Sequence, residues 1–418
     1  MNDPARIGRT GRKPELLVPA GSLGVLKTAV RFGADAVYIG GEAYGLRARA
    51  RNFDRDEMAE GIRYAHEHGV RVHVTANIIA HDEDLPGAEA YFRELAELRP
   101  DALIIADPGM LRLAQENCPG IELHISTQAN STNRLTFRFW HEAGASRIVC
   151  ARELSLAEIR GIREAVPDDL EIEAFVHGAM CISYSGRCLL SSYLTGRDAN
   201  RGECAHPCRW KYALQEEKRP GQYFPIEENG RGSYILNSKD LCMVGHIPEL
   251  LAAGIDAFKI EGRMKTELYV ATVARTYRKA IDDCMESEAK YRAALPWYMD
   301  EIRRCTCREF TTGFYFGKPS EESMEYADAL YVSEAVYLGT VDAVDGEGRA
   351  HFEQKNKFSR GDTIEIMKPD GRDVKAEVLS LQTEDGLYTE SAPHPQEKLW
   401  VTLSEKPSPG DLLRSCRA

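Results

Sequence analysis

Leu16–Gly41 reads LLVPAGSLGVLKTAVRFGADAVYIGG. A short run of branched apolar residues gives way to an amphipathic segment, and a second apolar run follows. Gly33 stands just past the helical pattern, where a C-terminal cap needs a left-handed backbone that glycine adopts without penalty. This is a β–α–β unit, and its rhythm carries on through VRVHVTAN, AYFRELAELR, DALIIAD, MLRLAQENC, IELHISTQ, RLTFRFWHEAG, SRIVCAR, LAEIRGIREAV, LEIEAFVHG, IDAFKIEG and ELYVATVARTYRKAIDDCM. Gly69 and Gly144 punctuate it as Gly33 does. Repeated β-then-α order predicts a parallel sheet. Eight such units predict a closed (β/α)8, TIM-like barrel over residues 14–288, with an extra strand-like SYILNSKDL before the last unit. No glycine-rich dinucleotide fingerprint follows the first strand, which argues against a Rossmann sheet.

Alternation along the strands assigns their faces. The apolar members (Val72 and Val74, Leu123 and Ile125, Ile172, Ala174 and Val176, Phe258 and Ile260) should meet the helices. That turns His73, Thr75 and Asn77, His124, Ser126 and Gln128, Glu173, Phe175 and His177, and Lys259 and Glu261 into the lumen. Packed barrel lumens favour branched aliphatics, so this polarity predicts a site near the C-terminal strand ends. Asn77, Gln128, His177 and Glu261 lie at or near those ends. For any one of these residues, the alternative is a satisfied buried hydrogen-bond network.

A cysteine-rich insertion, residues 178–212, follows the seventh strand and should cover the same mouth. Cys181, Cys188, Cys204 and Cys208 fall in the pattern C-x6-C-x15-C-x3-C. Thiolates are soft ligands for zinc or an iron–sulfur cluster, and the pattern gathers four of them without forming paired zinc knuckles. Four free thiols packed as small hydrophobes are the plain alternative. The same loop carries Arg187, Arg197, Arg201, Arg209 and Lys211 against only Asp198 and Glu203 between Cys181 and Tyr212. Tyr184, Tyr193, Trp210 and Tyr212 are interleaved, a pattern suited to phosphates and unpaired bases or, equally, to a solvated loop. The formal net charge of −12 requires any nucleic-acid contact to rest on such a local patch.

The chain of 418 residues is 43% hydrophobic and 28% charged, and it exceeds one ordinary domain. Residues 1–13 form a basic tail with no apolar segment behind it, unlike a secretory signal. No apolar run approaches the roughly 20 residues that span a bilayer. Eleven cysteines without a signal point to a reducing, cytoplasmic setting. Residues 289–332 read as a helical and turn-rich connector. Residues 333–418 hold six short alternating strands separated by turn signals such as Asp345-Gly346 and Asp385-Gly386, predicting a small antiparallel β-barrel. His66-Glu67-His68 lacks metalloprotease spacing, and Ser185 lacks the leading glycine of a nucleophile elbow. A cysteine nucleophile, Cys181 with His177 as base, stays open as a hydrolase reading but leaves the other cysteines unexplained. His206 is a further potential ligand or supporting residue.

EAFVHGAMCISYSGRC, RDANRGECAHPCRW, NSKDL and KIEGRMK, in that order, resemble the collagenase-like peptidase family of unassigned mechanism, the U-32 family. Within it the chain is most similar to the branch of tRNA hydroxylation proteins. The resemblance spans most of the chain and implies oxygen-independent formation of 5-hydroxyuridine at the tRNA wobble position. It also implies a 4Fe-4S cluster, prephenate as co-substrate and the anticodon region as partner, with a related subunit or a second copy as a further one. It favours Cys181, Cys188, Cys204 and Cys208 as ligands, with Cys242 in reserve because a sister branch that hydroxylates a ubiquinone precursor uses a cysteine in roughly that region. Lys239, Lys259 and Arg263 become candidates for holding the anionic donor, and Glu261 or His177 for proton transfer. Two other readings stand beside this one: a peptidase, and a zinc-stabilised RNA-binding protein without catalysis.

Overall fold

The computed structural model describes residues 13–46, 52–181, 183–210, 213–215, 223–225, 239–305, 308–317 and 334–416. The tail to residue 12, Lys211, Tyr212, the SYILNS part of the extra strand-like run and residues 306–307 and 318–332 of the connector fall outside these ranges.

Eight parallel strands alternate with helices: β1 (Glu15–Pro19), β2 (Ala36–Gly40), β3 (Arg71–Ala76), β4 (Ala102–Ile105), β5 (Glu122–Ile125), β6 (Arg147–Val149), β7 (Glu171–Ala179) and β8 (Ala257–Ile260). Each pairs with the next except that β8 pairs with both β7 and β1, so the sheet closes into the expected (β/α)8 barrel. The outer layer is α1 (Leu23–Arg31), α2 (Arg55–Glu67), α3 (Leu85–Leu98), α4 (Pro108–Asn117), α5 (Arg134–Glu142) and α6 (Leu156–Ala165). After the short α7 (Leu190–Thr195) of the cysteine loop come α8 (Ile247–Ala252), α9 (Glu267–Glu286) and α10 (Glu288–Arg304). The sequence sets these helix starts locally. Ser22, Asp54, Asp107, Asn133 and Thr266 each accept a first-turn backbone N–H, and Ser155 with Glu158 forms a capping box. Leu16, Val18, Val37, Ile39, Val72, Val74 and Leu103 face the helices in one continuous core.

The extra strand is real where it is described. Asp240–Cys242 runs antiparallel to the end of β7, pairing Asp240 with Ala179 and Cys242 with His177, and Phe310–Thr311 adds to its other side. β7 therefore projects beyond the barrel rim and carries the cysteine loop at its tip.

The C-terminal module is antiparallel. Its ladder runs from Ala335–Thr340 through Leu412–Cys416, Thr363–Met367, Asp373–Thr383, Lys398–Leu403 and Ala350–Glu353 to Ala343–Val344. Asp373–Thr383 pairs with one neighbour by its first half and the other by its second, with an irregularity between Val378 and Ser380. The sheet curls until Lys355 N donates to Leu338 O at 2.8 Å. The module docks on α9 and α10 through a buried ionic network. Arg414 pairs with Glu301 (2.8 Å) and Glu365 (3.0 Å), and Arg275 with Asp373 (2.9 Å).

Candidate functional site

Inward-facing side chains stack in layers from alternate strands, as barrel geometry requires. At the floor, Arg147 is 1% exposed and holds Glu15 (2.5 Å), Glu171 (2.6 Å) and Glu173 (3.2 Å). One layer up, Lys259 Nζ lies 2.6 Å from the other oxygen of Glu173. His73 and His124 meet edge to face beside them, ring centroids 4.8 Å apart and both wholly buried. Burial pushes both imidazoles well below their ordinary pKa; for His73 the neighbouring His124 adds to this, and for both so does Arg147, so both are neutral. The donor atoms of His73, His124 and Glu173 lie within 4.8 Å of one another, a spacing that can hold a metal. Lys259 and Arg147 already occupy the two carboxylate oxygens, and a divalent cation there would face both positive charges. This layer is a charged barrel floor.

Above it opens a cavity of about 90 Å³ lined by Tyr38, Asn77, Ser126, Lys259, Glu261 and Arg263. Lys259 Nζ sits 4.5 Å from the Tyr38 ring centroid, and the Tyr38 hydroxyl donates to Ile260 O (2.9 Å). Arg263 Nη1 donates to Thr75 Oγ1 (3.2 Å), and Asn77 Nδ2 to Ser126 Oγ (3.1 Å). A Cβ at Gly40 would lie 1.8 Å from Arg263 Nη1, so the absence of a side chain there admits the guanidinium.

At the mouth, Cys181, Cys188, Cys204 and Cys208 line a second cavity of about 250 Å³ together with Gln128 and Glu261. The two cavities adjoin, with Leu46, Thr127, Gln128, Arg152 and Glu261 in the lining of both. The cysteine loop is fastened to the barrel at several places. Ser185 N donates to Glu153 Oε1 (2.8 Å). Arg201 pairs with Asp84 (2.9 Å) and Glu83 (3.1 Å). Gly186, at φ 70°, packs so closely that a Cβ would fall 2.0 Å from Gln128 O. The backbone N–H of His206 points at Cys204 Sγ (3.4 Å), as donors do around a bound thiolate. Cys181 is exposed at the rim, yet the protein packed around its sulfur raises the thiol above its ordinary value. Four thiols on one cavity wall, with an N–H to sulfur, suit a thiolate-ligated metal or cluster.

Several candidates fall elsewhere. His177 was expected to face the lumen; it faces the helix layer. The register of β7 against β8 shifts between Lys259 and Ile260, so Phe175 pairs with Lys259 but His177 with Ile260. The irregularity at Val176 reverses the alternation, leaving His177 buried with Nδ1 3.4 Å from the Tyr277 hydroxyl and near Tyr269 and Phe310. Lys239 borders neither cavity and pairs with Glu309 (2.8 Å). Cys242 is buried against Tyr277, outside the cavity that the other four share. Arg187 is exposed and Arg197 half-buried; the side chain of Arg209 lies outside the described residues. Sequence reading missed Arg152, Glu153 and Thr127. Arg152 follows β6 by three residues, the position that drew attention to Gln128 after β5, and that was the available signal.

Comparison with known proteins agrees with this geometry. The sequence pattern of peptidase family U32 matches residues 21–325, and that of the family's C-terminal domain matches residues 333–414. The chain is 39% identical to tRNA hydroxylation protein P1 of Bacillus subtilis, over 96% of this chain and 95% of that one. It is 37% identical to tRNA hydroxylation protein P of Escherichia coli, over 92% and 94% respectively. A protein of Methanocaldococcus jannaschii named only as an uncharacterized protease is 44% identical over 72% of this chain and 73% of its own. A closed barrel with the cysteine loop at its mouth and the curled C-terminal module thus coincide with the two matched regions: the chain belongs to peptidase family U32.

Proposed function

We propose that this protein hydroxylates the wobble uridine of tRNA to 5-hydroxyuridine without molecular oxygen, in the cytoplasm, using a 4Fe-4S cluster and prephenate. The observation that carries the reading is the convergence of Cys181, Cys188, Cys204 and Cys208 on one cavity that adjoins a lumen holding Lys259 and Arg263. Two relatives spanning nearly the whole chain, named as tRNA hydroxylation proteins, support the substrate. The four thiolates would hold the cluster, which when bound supplies one-electron chemistry at the barrel mouth.

The chain's own residues do the rest. Lys259 and Arg263 bind a carboxylate of the acidic co-substrate. Glu261 borders both cavities and moves the proton at the reacting base. Tyr184, 62% exposed at the cavity rim, stacks on a base drawn out of the anticodon loop, and Arg187 takes a phosphate. The hydrolase reading loses its base, because His177 faces the helices, away from the cavity that Cys181 lines.

The test is anaerobic purification with iron, sulfide and zinc analysis, followed by incubation with prephenate and unmodified tRNA and nucleoside mass analysis. The expected result is about four iron and four sulfide per chain with 5-hydroxyuridine formed. Serine at any of the four cysteines should lower both sharply, and serine at Cys242 should not. Stoichiometric zinc without sulfide, or peptide cleavage by metal-free protein, overturns the reading.

A further inference from the structure

Arg152 stands at the neck between the two cavities and is, among the described residues, the cation that borders both. Its guanidinium lies 3.9 Å from the Phe175 ring centroid, and Nη1 donates to Ala179 O at 2.7 Å, so its position is fixed against β7. Nη2 lies 3.8 Å from Glu261 Oε2, close enough for attraction but too far for a hydrogen bond. Lys259, by contrast, has its carboxylate partner Glu173 at 2.6 Å. Arg152 is therefore held rigidly with one edge turned to a carboxylate that it does not grip.

Size adds a second constraint. Pockets for ligands larger than fragments run from about 300 Å³ upward. The lumen cavity of about 90 Å³ is below that size, and the cysteine cavity of about 250 Å³ is the one the cluster would share, so a ligand anchored in the lumen reaches up past Arg152, whose side chain lines both. Such a ligand passes Arg152 with one end among Lys259 and Arg263.

We propose that Arg152 is a second carboxylate-binding group of this site. A small dicarboxylate spans the neck, one carboxylate on Lys259 and Arg263 and the other on Arg152 as a two-bond fork, and it displaces Glu261. This rests on the reading that the lumen takes an acidic co-substrate.

The experiment is calorimetric titration of the anaerobically purified full chain with prephenate and with phenylpyruvate, which keeps the keto acid chain and lacks the second carboxylate. Wild type should bind prephenate at least tenfold more tightly. Arg152→Gln should erase that preference by weakening prephenate alone, and Arg152→Lys should retain part of it. Glu261→Gln should tighten prephenate several-fold, because a competing carboxylate is gone; a merely structural Arg152–Glu261 contact predicts no gain. Equal affinity for the two ligands in wild type overturns the inference, as does undiminished prephenate binding by Arg152→Gln or weakened binding by Glu261→Gln. Should Arg152→Gln fail to fold, the Glu261→Gln titration decides alone. Arg152-dependent binding without uridine modification would sink the proposed function and leave this inference standing. Modification without discrimination between the ligands would do the reverse.

Discussion

His177 sits four residues before Cys181, and spacing alone makes the two look like a catalytic pair. Its surroundings assign it otherwise: Tyr277, Tyr269 and Phe310 enclose the ring, with Cys242 beyond the Tyr277 hydroxyl. Burial, with a smaller contribution from Lys265, brings its pKa to about 3. The folded protein thus binds fewer protons at this site than the unfolded chain between about pH 3 and 6.5. Stability is fully present above that window and falls as pH drops through it, by about 1.4 kcal/mol per unit for this one group. Urea unfolding of wild type and His177→Phe at pH 7, 6 and 5 measures it. The wild type should lose more stability across that range, with the curves diverging below pH 6.5. Parallel curves would mean that His177 stays solvated and protonatable. The Lys259–Glu173 pair gives a second residue-scale prediction. Glu173→Gln leaves Lys259 and Arg147 in a buried layer short of one negative charge, and such uncompensated charges cost roughly 3–5 kcal/mol. Chemical denaturation should show a loss of that order, and a change under 1 kcal/mol would contradict the ionic floor.

At the scale of elements, β7 and the cysteine loop decide what the barrel can do. The loop's arginines read alike in the sequence but divide in the structure. Arg201 is committed to Asp84 and Glu83 and ties the loop to the start of α3, whereas Arg187 is exposed. On the proposed cluster reading, Arg201→Ala should therefore lower the iron retained by the protein. Arg187→Ala should keep the iron and flatten the salt dependence of tRNA binding by about 0.7 log units per log unit of salt, the contribution of one phosphate contact to a single strand. Iron content and filter binding at several salt concentrations separate the two. The opposite assignment, or no effect from either, would place the tRNA away from this loop. The same elements show what sequence reading can reach. Period-two alternation and glycine caps yielded the eight strands because burial on two faces leaves a strong pattern, and it placed Lys259, Glu261, Asn77 and Gln128 correctly at the lumen. His177 escaped it because one irregularity in β7 inverts the faces, and the residues around Val176 give no warning of that. Arg152 escaped it because SRIVCAR shows a short strand and nothing of the space above it.

For the whole molecule, the question is why a catalytic barrel carries a curled β-module on the side of α9 and α10. The interface is ionic at its centre: Arg275, Glu301 and Arg414 are all at most 2% exposed, with Asp373 and Glu365 at its edge. Burial by itself would raise the Glu301 carboxyl, but the hydrogen bond from Arg414 and the charges of Arg275 and Arg414 bring it below the usual carboxylate range. Such a network adds little stability over a packed apolar one, but it is exacting about register, because each charge must meet its partner or be stranded. On this argument the network fixes the module's orientation on the barrel. Glu301→Ala removes the carboxylate that Arg275 and Arg414 share, leaving Asp373 and Glu365 to answer both buried guanidinium groups, and should lower the unfolding free energy by roughly 3–5 kcal/mol. Because the damage lies at the interface, it should also split a single calorimetric transition into two and open the connector to limited proteolysis. Glu301→Ala combined with Arg275→Met and Arg414→Met removes both buried guanidinium groups, leaves Glu365 paired with Arg304 (3.0 Å), and should recover part of the lost stability without restoring one transition. A triple variant that unfolds as one unit would show that apolar packing, with Met367 and Leu412 in the barrel's own core cluster, sets the docking instead.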